Sequence, residues 1–196
     1  MKKKFLALVM VCSMAFAMTA CGKDDEKEVD VTIAAPDVDF NVPDIDVSTP
    51  DVDVTANDNE LSISGLVSYS IKGTDYEEYA PSTTEITKVY AEKNNLQTFA
   101  ITAADATGQV DIEGQFKTQI EAVYGTNYVT YDMTYNGLTY TTYDFGTNST
   151  VSSDINVTAY VCVKDNVVIY CEEAWATQLG SSSGDSEMVL NTVTIL

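Results

Sequence analysis

The sequence contains no arginine and no histidine, so all ten basic residues are lysines, and 30 acidic residues give a net charge of −20. Histidine is the usual general base, zinc ligand and pH switch of proteins, and its absence excludes His-dependent triads and His-containing zinc sites. Without arginine the chain also lacks the side chain that binds phosphate bidentately. The negative charge repels nucleic acid, so we expect no nucleic-acid partner.

Motifs of catalysis and cofactor binding are also lacking. The chain has no Ser-x-x-Lys motif and no Cys-x-x-Cys pair. We therefore predict no catalytic residues, no metal ligands and no cofactor, and a protein that is not an enzyme.

The N-terminus has the pattern of an export signal. Lys2, Lys3 and Lys4 precede an apolar run from Phe5 to Met18, whose 14 residues are too few to span a bilayer comfortably. The following Met18-Thr-Ala-Cys21-Gly22 resembles the lipobox of bacterial lipoproteins. An ordinary signal peptide, or a membrane helix with an incidental cysteine, is the alternative.

The lipobox resemblance implies that residues 1–20 are removed and that Cys21 carries a diacylglyceryl lipid with fatty acids such as palmitate. The chain would then lie on the extracytoplasmic face of the cell membrane, held there by its lipid anchor. From Cys21 onward seven lysines oppose 30 acids, a net charge of −23, yet two or more acyl chains anchor a protein even against such repulsion.

Residues 21–60 read as an acidic linker. Three units begin at Pro36, Pro43 and Pro50 with a period of seven, and each alternates aspartate with apolar residues. Proline interrupts strand pairing and the like charges repel, so we expect a disordered, extended tether. The alternative is a Ca²⁺ site, although the repeats lack the glycine-containing loop and closing glutamate of an EF-hand.

Residues 61–196 read as a single domain built mainly from β-hairpins. A strand over 66–71 precedes a hairpin over 86–102, and further hairpins span 128–145 and 155–175. Asn136-Gly137 favours a type I′ turn, which opposes Asp132 to Thr141 and Asp144 to Val129. This register places the two aspartates on different faces, an arrangement unsuited to a glycosidase pair.

An amphipathic helix is predicted over about 111–124, because apolar residues recur at helical spacing and Gly125 follows as a terminator. A Gly- and Ser-rich loop then leads to a short C-terminal helix or strand. The fold class is therefore α+β, an antiparallel sheet of hairpins with one helix. The element order and the ending Met188-Val-Leu-Asn-Thr-Val-Thr-Ile195 weakly resemble the PsbP-like fold, which implies a binding or assembly role and no catalytic residues.

Tyrosines are concentrated in the second hairpin and offer a candidate ligand surface. An aromatic platform for a sugar or peptide is one interpretation, and half-buried sheet packing is the other. The five candidates are Tyr128, Tyr131, Tyr135, Tyr140 and Tyr143.

Two cysteines remain after removal of the leader and acylation of Cys21. Cys162 and Cys171 lie on opposite arms of the third hairpin, either directly opposite or diagonal according to the loop. We expect a structural disulfide between them, and two buried free thiols are the alternative.

These features predict a membrane-anchored, non-enzymatic binding or assembly module of the cell envelope, with an envelope protein or peptidoglycan as partner. The alternative is a carboxylate- or metal-dependent hydrolase of envelope polymers, which would require convergent carboxylates in a cleft.

Overall fold

The computed structural model describes residues 60–79 and 83–196. The leader, Cys21 and the acidic repeats lie outside the described residues. The first half of the domain contains β1 (Leu61–Ile63), β2 (Val67–Tyr69), β3 (Tyr76–Glu78), β4 (Thr87–Glu92), β5 (Gln97–Asp105) and α1 (Ile112–Tyr124). The second half contains β6 (Val129–Tyr135), β7 (Leu138–Gly146), β8 (Ile155–Lys164), β9 (Val167–Ala176), α2 (Asp185–Leu190) and β10 (Thr194–Ile195), with a 3₁₀ turn at Thr177–Leu179.

Seven strands form one antiparallel sheet in the order β3-β4-β5-β9-β8-β7-β6. The predicted antiparallel α+β architecture is confirmed. The central strands β5, β8 and β9 are buried along most of their length, which explains why each carries apolar residues on both of its faces.

The turns set the register of the two C-terminal hairpins. Asn136 and Gly137 both have positive φ, as do Asp165 and Asn166, so each pair makes a two-residue turn. The predicted pairing of Asp132 with Thr141 is confirmed, and so is that of Asp144 with Val129.

One face of the large sheet, which we call the α1 face, packs against α1. Asp111 caps this helix by accepting a hydrogen bond from the Gly114 amide at 3.3 Å, and Gly125 ends it at a φ of 87°. Phe116 lies on Tyr170 with ring centroids 5.7 Å apart. The helix thus occupies the predicted range and buries its apolar side on the sheet.

The opposite face, which we call the α2 face, is covered by α2 and by a small sheet of order β1-β2-β10. Thr192 ties the C-terminal segment down, since its hydroxyl accepts from the Ser70 amide at 2.8 Å. Val189, Leu190 and Val193 are fully buried against the large sheet. The predicted short C-terminal element is therefore a helical turn followed by a strand. In the described part of the chain, every helix is too short or too polar to cross a membrane.

Candidate functional site at the free edge of the large sheet

The five candidate tyrosines do not form one surface. The register places Tyr131, Tyr135 and Tyr140 on the α2 face, whereas Tyr128 and Tyr143 pack together on the α1 side with ring centroids 5.3 Å apart. Side chains alternate between the faces of a strand, so the spacing of three residues from Tyr128 to Tyr131, and from Tyr140 to Tyr143, moves the side chain to the other face. Most of the set packs in the core, and within it only Tyr131 is widely exposed, at 43%.

Strand β6 forms one edge of the large sheet, and it is the least buried long strand of the domain. Its first four residues are exposed, among them Val129 at 65%. Within residues 60–79 and 83–196, its only sheet neighbour is β7. The exposed part of this edge, which includes Val129, Tyr131 and Asp132, is thus available for contact with another molecule.

Tyrosine hydroxyls and carboxylates gather beside this edge on the α2 face. Burial raises the pKa of Tyr131, and the negative charges of Asp144 and Glu187 raise it further. Burial together with the charge of Glu187, which also accepts a hydrogen bond from the hydroxyl, raises the pKa of Tyr135 to about 12. Both phenols therefore stay neutral near neutral pH and act as hydrogen-bond donors.

Glu173 lies at the inner end of this cluster, buried between β9 and the loop that precedes α2. Burial raises the pKa of its carboxyl, the charge of Glu187 acts in the same direction, and hydrogen bonds from Ser182, Ser186 and Tyr160 oppose the shift. Gln97 Nε2 donates to Glu173 Oε1 at 3.0 Å and to Ser183 Oγ at 2.9 Å. These contacts attach the serine-rich loop to the sheet, so the carboxylate has a structural role.

Thr142 lies on the same face, paired with Tyr131 on one side and with Tyr160 on the other. Its side chain is fully buried, and its hydroxyl has no hydrogen-bond partner among the described residues. Burying a hydroxyl without a hydrogen bond is costly, so Thr142 is a polar group beneath the tyrosine cluster that the described residues leave unsatisfied.

Sequence reasoning identified Tyr131 and Tyr135 but missed Tyr160, Glu173 and Glu187. The usable signal was Glu172-Glu173 in the middle of the apolar strand β9, because charged residues in a buried strand need specific partners. Their partners come from segments far away along the chain, and no local pattern predicts them.

The structure differs from the expected disulfide. Cys162 and Cys171 are buried free thiols, and the two-residue turn opposes Cys162 to Ile169 and Tyr160 to Cys171. The cysteines are therefore diagonal neighbours, a less favourable arrangement for a bridge than direct opposition, because the α-carbons of diagonal residues lie roughly 7–8 Å apart, beyond the usual separation in a disulfide.

Two further features bear on the hydrolase alternative. Asp132 and Asp144 lie on opposite faces of their hairpin, as their register predicts. Within residues 60–79 and 83–196 no three Cys, Asp or Glu side chains are grouped so that they could hold a metal ion.

A groove of about 590 Å³ lies at the turn end of the hairpins, beside the C-terminal residues. Its polar side chains are largely engaged within the chain. Asn136 Nδ2 donates to the Val193 carbonyl at 2.9 Å, and Asp105 accepts from the Thr107 amide at 2.8 Å. We therefore place the candidate site at the β6 edge.

No protein-family model matches the chain, and no curated protein matches it. Among solved structures it is similar to a protein from Bacteroides thetaiotaomicron, with a TM-score of 0.49, 14% identity and coverage of 70% of this chain and 48% of that one. The chain thus spans about half the length of that protein.

Two smaller proteins show comparable similarity. PsbP from the cyanobacterium Synechocystis has a TM-score of 0.48 and 9% identity over 70% of this chain and 92% of its own. The Ran-binding protein Mog1p from Saccharomyces cerevisiae has a TM-score of 0.45 and 6% identity over 70% and 94% of the two chains. All three scores lie below 0.5 and assign neither a family nor a function to this chain.

Proposed function

We propose that this chain is a lipid-anchored, extracytoplasmic protein whose domain binds a partner at the β6 edge and carries out no chemistry of its own. The lipobox-like Met18–Gly22 supports the anchor. Residues 21–60 would serve as the tether between the membrane and the domain.

The exposed edge strand β6 is the observation that supports a binding role. In a soluble domain, lysine, proline, a bulge or a covering segment normally prevents a long edge strand from pairing with another chain. Strand β6 instead exposes Val129 and Tyr131 beside the buried Thr142, whose hydroxyl has no hydrogen-bond partner in the described part of the chain. A protein segment is the partner that can use both the backbone groups and the side chains of such an edge, which favours an envelope protein over peptidoglycan.

The carboxylates support binding over hydrolysis. A carboxylate-dependent hydrolase of the glycosidase type needs two carboxylates that converge on a cleft. Asp132 and Asp144 diverge, and Glu173 is only 3% exposed and held by Gln97 and by serine hydroxyls.

Membrane fractionation of cells that express the full chain tests the anchor. We expect Cys21→Ala to abolish membrane retention or to leave an unprocessed precursor. Cys12→Ala is the matched control, because it removes a leader thiol outside the lipobox and should leave retention unchanged. Normal processing and membrane retention of the Cys21→Ala variant would contradict the proposal.

A further inference from the structure

Strand β6 carries unused backbone hydrogen-bonding groups. In a hairpin with a two-residue turn, Tyr135 and Leu138 form a hydrogen-bonded pair, so every second residue of β6 turns its backbone toward β7. The alternate residues Thr130, Asp132 and Thr134 therefore point their N–H and C=O groups outward. Among the described residues, no backbone hydrogen bond outside the sheet engages these three positions.

The other edge of the same sheet is protected. Strand β3 has only three residues, and each of its two exposed glutamates forms an ion pair with a lysine outside the strand. Lys88 Nζ lies 3.9 Å from Glu78 and Lys93 Nζ lies 3.5 Å from Glu77. A short strand with lysines blocks edge pairing, and β6 has neither feature.

The charges around β6 are negative on both faces. Asp132 lies on the α1 face, and Asp144 and Glu187 act on Tyr131 from the α2 face. No lysine is among the charges that shift the pKa of Tyr131 or Tyr135. A segment that pairs with this edge therefore meets a field that favours cations.

We infer that β6 is the docking edge for an extended, lysine- or arginine-bearing segment of a partner protein, which adds to the sheet as a further strand. This inference rests on the proposed binding function and names the chemistry of the partner. Thr130, Asp132 and Thr134 supply the backbone ladder, Tyr131 and Val129 contact alternate side chains of the segment, and the carboxylates select its positive charge.

Charge argues against two other occupants of the β6 edge, which are a second copy of this chain and the chain's own Pro-Asp repeats. A second copy would bring Asp132 of each molecule to the same interface, and residues 60–196 carry 18 acids against five lysines. The Pro-Asp repeats of residues 36–54 alternate as a strand does, but they carry the same sign as the edge and a proline in every unit.

Peptide binding to the full chain in a zwitterionic detergent tests the inference. The probe is a short peptide of alternating lysine and valine, and two control peptides have glutamate in place of lysine or proline in place of alternate valines. We expect binding of the lysine–valine peptide alone. The proline peptide keeps the charge but cannot form a ladder, so it separates strand addition from simple charge attraction.

Three variants locate the site. Asp132→Lys should weaken binding at least about tenfold, because it places a repelling charge on the edge. Thr130→Pro should weaken it similarly by removing an outward N–H that the sheet does not use. The control Asp154→Lys makes the same charge change at an exposed residue outside the strands and should have little effect.

Equal binding to all variants, or equal binding of the proline peptide, would overturn the inference. Dimerisation of the chain would also overturn the inference, if Thr130→Pro abolishes it and the peptide competes with it. A second copy would then occupy the edge. None of these results would contradict the proposed lipid anchor, because membrane retention through Cys21 is measured in a separate experiment.

Discussion

The side-chain amide of Gln97 donates a hydrogen bond to the carboxylate of Glu173 at 3.0 Å, and both side chains are buried. The two residues come from adjacent strands, β5 and β9, and Ser182 and Ser183 from the following loop bind the same pair. This contact joins the large sheet to the segment that carries α2, and it holds Glu187 beside the tyrosines of the β6 edge.

Replacing Glu173 with glutamine should change how stability depends on pH. Burial raises the pKa of Glu173 above its value in the unfolded chain, so the penalty for its ionisation is absent below about pH 4.5 and develops as pH rises toward the folded-state pKa. We expect the free energy of unfolding of Glu173→Gln, relative to the parent chain, to increase with pH across this window. Denaturant unfolding at several pH values measures it.

The exposed Glu85→Gln variant controls for the loss of one negative charge. A stability difference for Glu173→Gln that does not vary with pH, or that falls as pH rises, would contradict the assignment.

The thiols of Cys162 and Cys171 should react slowly in the folded protein. Burial raises the pKa of both, and the adjacent Lys164 only partly offsets this at Cys162, so little thiolate is present at neutral pH. Alkylation followed by mass analysis of the peptides from this hairpin should show protection in the native state and two modified thiols after denaturation without reductant. A disulfide-linked peptide in a non-reduced digest would contradict the free-thiol state.

The Asn136-Gly137 turn should be sensitive to substitution at both positions. Gly137 has a φ of 75°, so Gly137→Ala should destabilise the domain by about 1 kcal/mol. Asn136 contributes both a positive φ and a hydrogen bond to Val193. Asn136→Gly keeps the turn and removes the side-chain hydrogen bonds to the Val193 carbonyl and the Thr194 hydroxyl, a loss of about 1 kcal/mol, and Asn136→Ala should cost more.

Thermal unfolding distinguishes these contributions. If Asn136→Gly and Asn136→Ala destabilise the domain equally, the turn conformation adds nothing to the contact with Val193.

The acidic segment should be dispensable for folding, because it has few large apolar side chains to offset its conformational entropy. A chain that starts at Asn59 should melt within about 2 °C of one that starts at Lys23, which corresponds to less than about 1 kcal/mol. A larger loss of stability would show that the aspartate repeats belong to the domain.

Local chemistry made much of the fold predictable from the sequence. Asn136-Gly137 fixed one hairpin register because only a type I′ turn fits two residues at positive φ, and Asp111 and Gly125 bounded α1. The small sheet was not predicted as such. Its strands have two or three residues, too few for a periodic pattern, and β10 joins β2 across most of the domain.

The candidate site was less predictable than the fold. The tyrosine-rich hairpin made Tyr131 a candidate. The exposure of its side chain, however, depends on the position of β6 at the edge of the large sheet. Glu187 joins the site from a helix more than fifty residues further along the chain. Neither fact follows from composition or spacing, because both depend on how the elements assemble.

The N-terminal peptide of the protein isolated from membranes tests the central proposal most directly. Its mass should correspond to a chain that begins at Cys21 and carries a diacylglyceryl group, with or without an amide-linked third acyl chain. A mature N-terminus at any other residue, or an unmodified Cys21 in membrane-bound protein, would contradict lipid anchoring and the function proposed here.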